Sequence, residues 1–178
     1  MSLSYRQRIT KYIVYLLLIS LAAIIQNTEG LTFEIGGARC FLLLPVAIIL
    51  GMGEDEYFSA MLGLFGGLIW DLSSSVHFGY NAVFMCIACF ISAALVTYII
   101  RNTFITNLVF SLLTVFAYVF IYWLCFIIIK DIKGAELSLF SFYIPSAIYT
   151  MAAMPVIWLS LVPIKRKLNK SNNTNYLY

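Results

Sequence analysis

Residues 104–129 read FITNLVFSLLTVFAYVFIYWLCFIII, a run without one Asp, Glu, Lys or Arg. A helix crossing about 30 Å of hydrocarbon needs roughly 20 consecutive apolar residues, so this stretch predicts a membrane-spanning helix. A transmembrane β-barrel would instead show short segments of alternating polarity. The rest of the chain agrees. Of its 178 residues, 62% are hydrophobic and 11% are charged, and the mean hydropathy is +0.94. Soluble domains run at about 45–50% apolar and about 25% charged. A soluble fold of this size would leave much of that apolar surface facing water. The composition therefore predicts an all-α integral membrane protein.

Five further apolar runs flank the first one, at 12–25, 39–52, 57–70, 79–100 and 139–162. Runs 39–52 and 57–70 are short, and charge decides how to count them. If they formed one re-entrant hairpin, Glu54, Asp55 and Glu56 would sit near the bilayer centre, at ~2.5 kcal/mol or more each. If only one of them crossed, the two chain ends would face opposite sides. Yet both ends are basic, with Arg6, Arg8 and Lys11 at the front and Lys165, Arg166, Lys167 and Lys170 at the back. Parity and the positive-inside rule together predict six transmembrane helices with N and C termini cytoplasmic. That topology puts eight basic residues inside, the seven above plus Arg101, against Arg39, Lys130 and Lys133 outside. Arg6, Arg8 and Lys11 before an apolar run also suit a signal peptide, but the run continues through Ile25 and reads as a retained first helix. Residues 1–165 are expected to form a single six-helix transmembrane domain, and 166–178 a polar cytoplasmic tail. No soluble catalytic module and no basic nucleic-acid face fit this layout.

Few residues offer chemistry. Cys86 and Cys89 form a C-x-x-C, but inside an apolar helix with no second pair, where cysteine packs as a small hydrophobe. No metal or cofactor site is expected. Asp71, Ser73, Ser74, Ser75 and His77 form the one polar cluster near a membrane face. They read as a solvated turn rather than a catalytic set, since no second carboxylate or positioned nucleophile accompanies them. Pro145 and Pro155 are expected to kink or break the last helix, and Pro45 the second. The acidic triplet Glu54-Asp55-Glu56 is either a solvated loop or a docking point for a basic partner.

Packing signals are stronger. Ser59, Gly63, Gly67 and Asp71 recur every four residues, so they share one stripe of a helix. Small residues at that spacing let another helix approach closely, and an acid at the end of the stripe needs hydration, hydrogen bonds or a cation. Either the stripe packs within this chain, with Asp71 capping the following turn, or it receives a partner's segment.

The segment Gly63-Leu-Phe-Gly-Gly67-Leu68-Ile-Trp-Asp71, followed by Gly79-Tyr-Asn81-Ala82, resembles the rod shape-determining protein MreD family of bacterial inner-membrane proteins. Gly67, Leu68, Asp71, Gly79, Asn81 and Ala82 match its G-L-x-x-D and G-x-N-A pattern. The resemblance implies a multi-pass protein of the bacterial cytoplasmic (inner) membrane. Its expected role is a non-enzymatic scaffold in the cell-shape and peptidoglycan elongation complex. MreC is the implied partner, and through it MreB, RodA and a class B penicillin-binding transpeptidase. The expected partner-binding residues are Ser59, Gly63, Gly67, Leu68, Asp71, Gly79, Asn81 and Ala82. MreD-family proteins are similar in fold to substrate-binding S components of energy-coupling-factor vitamin or metal transporters, which supplies the rival expectation. Against that rival, the first helix has Ala22 and Ala23 adjacent, where S components carry an A-x-x-x-A.

Overall fold

The computed structural model describes residues 5–28, 40–74, 78–125 and 144–169. They form six helices: α1 (Tyr5–Asn27), α2 (Leu43–Gly51), α3 (Glu56–Ser74), α4 (Tyr80–Tyr98), α5 (Phe104–Trp123) and α6 (Ile144–Asn169). No strand occurs among the described residues. The helices α1, α4, α5 and α6 are long and apolar enough to cross a membrane. Their outward faces carry side chains more than half exposed, such as Leu17, Leu21, Val83, Ile87, Leu113, Phe120, Val156 and Leu159. That surface suits a hydrocarbon solvent.

The second helix is unlike the rest. It has nine residues, about 13 Å at 1.5 Å per residue, and every one of them is buried. The run 39–52 reads as a crossing helix in the sequence, yet its helical part is less than half the hydrocarbon thickness. It lies at the centre of the bundle, packed by all five other helices. Leu43, Leu44, Ile48, Ile49 and Leu50 form the middle of the core.

A helix buried at both ends must have its terminal N–H and C=O groups satisfied by neighbours, because no water is at hand. At the N-terminal end, Gln26 of α1 accepts from Leu43 N at 2.8 Å, and Thr150 Oγ1 of α6 accepts from Phe41 N at 2.9 Å. At the C-terminal end, Lys165 of α6 donates its Nζ to the carbonyls of Ile49 (2.7 Å), Leu50 (3.1 Å) and Met52. Asn102 Nδ2 also donates to Met52 O, at 3.1 Å.

The expectation that proline breaks the last helix is corrected by α6. The helix runs unbroken past Pro155 and Pro163. Pro145 falls in its first turn and Pro45 in the first turn of α2, where a missing N–H costs no helical bond. Arg166 and Lys167 lie in the last turn of the same helix, which runs to Asn169. Residues 170–178 lie outside the described residues.

Candidate functional site

The motif residues meet where α3 ends and α4 begins. Gly79 is the N-cap of α4, with φ +95°, a conformation that glycine adopts without the Cβ clash other residues meet. The first turn of any helix leaves N–H groups without helical partners. Here Asp71, 1% exposed, supplies the acceptors from the last turns of α3. Its Oδ2 accepts from Gly79 N at 3.1 Å and Ala82 N at 3.0 Å, and its Oδ1 from Asn81 N at 3.2 Å. A carboxylate so placed also faces the positive end of the α4 dipole.

The glycine stripe lets the two helices come close enough for this. A Cβ on Gly67 would lie under 3.0 Å from Ala82 Cα and N and from Asn81 O. A Cβ on Gly63 would lie as close to the Met85 carbonyl and to Cys89 Sγ. Ser59 continues the line, donating from Oγ to Cys89 O at 3.2 Å. Asn81 turns its Oδ1 to the Tyr118 hydroxyl of α5, 2.8 Å away. Tyr118 in turn stacks on Trp70 at 5.1 Å and meets the edges of Phe41 and Phe84 at 5.5 and 5.3 Å.

Of the eight residues expected to bind a partner, Ser59, Gly63, Gly67, Asp71, Asn81 and Ala82 are therefore buried in this seam of the chain's own helices, with Gly79 at its rim. The stripe packs on α4, and Asp71 caps the turn that follows. Leu68 alone faces outward, 38% exposed, in line with Tyr57, Met61, Leu64 and Leu72 on the opposite side of α3. His77 and Ser75 lie outside the described residues. Among the described residues no three His, Cys, Asp or Glu side chains group as a metal site.

A second polar cluster, at the other end of α3, is not foreseen from the sequence. Lys11 of α1 pairs with Glu54 Oε2 at 2.5 Å, and the Tyr15 hydroxyl donates to Glu54 Oε1 at 3.0 Å. The Lys11 and Glu54 side chains are 8% and 7% exposed. Each member of the acidic triplet has a contact within the chain: Glu54 in this buried pair, Glu56 accepting from Tyr98 OH at 2.8 Å, and the exposed Asp55 facing Phe58 N at the start of α3. In the sequence, Lys11 and Lys165 count only toward orientation. The available signal is helical spacing. Lys11, Tyr15, Ile19, Ala22 and Gln26 continue one buried stripe of α1, as Thr150, Met154, Ile157, Leu161 and Lys165 do in α6.

The described residues thus form an all-helical fold in which four helices are long and apolar enough to cross a membrane. The sequence matches no family model, and neither curated proteins nor solved structures give a match.

Proposed function

We propose that this chain is a multi-pass scaffold of the bacterial cytoplasmic membrane, of the MreD kind, with both termini inside and no catalytic role of its own. The supporting observation is that the residues carrying the resemblance act as one physical unit. Asp71 receives the N–H groups of Gly79, Asn81 and Ala82, and Gly67 makes room for that approach. A motif of this kind builds a rigid α3–α4 hairpin, and rigidity is what a scaffold needs in order to hold a partner in register. In this reading the motif shapes the partner surface and does not touch the partner. The contact with MreC falls on the outward stripe Tyr57, Met61, Leu64, Leu68 and Leu72, all exposed. Lipid-facing helix contacts of this type rest on van der Waals packing.

The test is recovery of MreC from detergent extracts with Leu64→Ala/Leu68→Ala. We expect MreC to be lost while the variant stays folded, and undiminished recovery would contradict the reading. The reading of Asp71 and Asn81 as ligand-binding groups of a transport S component finds both Asp71 carboxylate oxygens and Asn81 Oδ1 already engaged within the chain.

A further inference from the structure

The end of the bundle where α1 begins and α6 finishes collects positive charge. Lys11 and Lys165 come together there around one carboxylate, for Glu54 and Lys11 are the charged groups that Lys165 faces. Both oxygens of Glu54 are taken, by Lys11 and by the Tyr15 hydroxyl. Among the described residues Lys165 donates only to the carbonyls of Ile49, Leu50 and Met52. The knot thus buries two ammonium groups against one carboxylate, and a buried charge without its counter-ion is costly.

The surroundings add to this excess. Arg8 lies one turn before Lys11, and Arg166 and Lys167 directly follow Lys165; with Arg6, all are exposed. Among the described residues Lys11–Glu54 is the only ion pair, so none of these four exposed cations has a carboxylate there. The neighbouring acids are engaged elsewhere, Asp55 at Phe58 N and Glu56 at the Tyr98 hydroxyl of α4. Helical spacing sets three of the four cations at the ends of exposed apolar stripes. Arg6 continues the line of Ile9, Ile13 and Leu17, Arg166 follows Leu159, and Lys167 follows Ile164.

We infer that this rim, beside the seam of α1 and α6, binds an anionic phospholipid. Its headgroup sits at the level of Arg6, Arg8, Arg166 and Lys167, and an acyl chain lies along Ile9, Ile13 and Leu17. The headgroup charge supplies what the knot of Lys11, Glu54 and Lys165 lacks. Each Lys or Arg near an anionic membrane surface is worth about fivefold in affinity. An acidic protein segment would match the charge but not the apolar stripes that run on from it. Such binding requires α1 and α6 to cross a bilayer, as in the proposed function, and is independent of the scaffold role and of MreC.

The experiment uses the full chain in dodecyl maltoside, probed with dioleoyl phosphatidylglycerol and dioleoyl phosphatidylcholine, which share their tails and differ in charge. Native mass spectrometry should find phosphatidylglycerol retained at least about tenfold better. It alone should raise the melting temperature followed by circular dichroism, because it binds the folded chain. Arg6→Gln, Arg8→Gln, Arg166→Gln and Lys167→Gln should each weaken its retention by about two- to fivefold. The four substitutions together should leave a folded protein that holds both lipids equally. Arg101→Gln removes an exposed cation from the α4–α5 connection, at the same end of the bundle, and should change nothing. Equal retention of the two lipids by the unaltered chain would overturn the inference, as would a loss in Arg101→Gln as large as in Arg166→Gln. So would a photocrosslinker at Ile9 or Ile164 that captures a polypeptide in the native membrane instead of lipid.

Discussion

The two ends of α3 each bury a carboxylate, and they do so by opposite means. Asp71 is held by backbone N–H groups only 8 to 11 residues away, in the hairpin it closes. Glu54 is held by side chains 39 and 43 residues away, from α1. Beside it Lys165 reaches back from α6 across more than 110 residues to the carbonyls of α2. The first end is a matter of shape: glycines permit an approach, and the acid completes it. The second is a matter of charge, and it ties the first and last helices to the buried centre. A hairpin joint should therefore fail when volume is added, and the ionic knot when a charge is removed.

The largest effect falls on the shape side. Gly67→Leu drives a side chain into the Ala82 backbone, which cannot yield as a side-chain tip would. We expect a loss above about 3 kcal/mol, beyond ordinary overpacking, read as aggregated protein in size-exclusion chromatography. A partner-binding role for the stripe would instead leave this variant folded and cost it only its partner.

On the charge side, Lys165→Met removes the donor from three buried carbonyls. It should cost about 2–4 kcal/mol, measured as a shift in denaturant unfolding followed by tryptophan fluorescence. The Lys11–Glu54 pair is next. In a double-mutant cycle of Lys11→Met and Glu54→Gln, the coupling should be about 1–3 kcal/mol, because both side chains are nearly buried. A coupling near zero would mean the pair behaves as an exposed surface bridge. Smallest is Tyr118→Phe, which removes one hydroxyl from Asn81 while keeping the ring stack on Trp70. About 1 kcal/mol is expected, with the emission of Trp70 little changed.

The sequence carries the class of fold because composition and long charge-free runs depend on solvent alone, as residues 104–129 illustrate. It also carries the Ser59–Asp71 stripe, because a spacing of four is a local property of a helix. The short α2 is hidden for a physical reason. Its nine residues sit in a longer apolar run, and the groups that let it stop, Gln26, Thr150 and Lys165, are distant in sequence. Lys11 and Lys165 look like interfacial anchors, since the charge count is blind to which way a helix face turns.

If Asp71 is consumed within its own hairpin, three amides of the isolated chain should show it. The N–H groups of Gly79, Asn81 and Ala82 have no helical acceptor and are held by Asp71 alone among the described residues. Hydrogen–deuterium exchange of the purified protein should find these amides slow without any partner present, and at least about tenfold faster in Asp71→Ala. If they exchange rapidly in the unaltered chain and slow only when MreC is added, Asp71 serves the partner and not the hairpin.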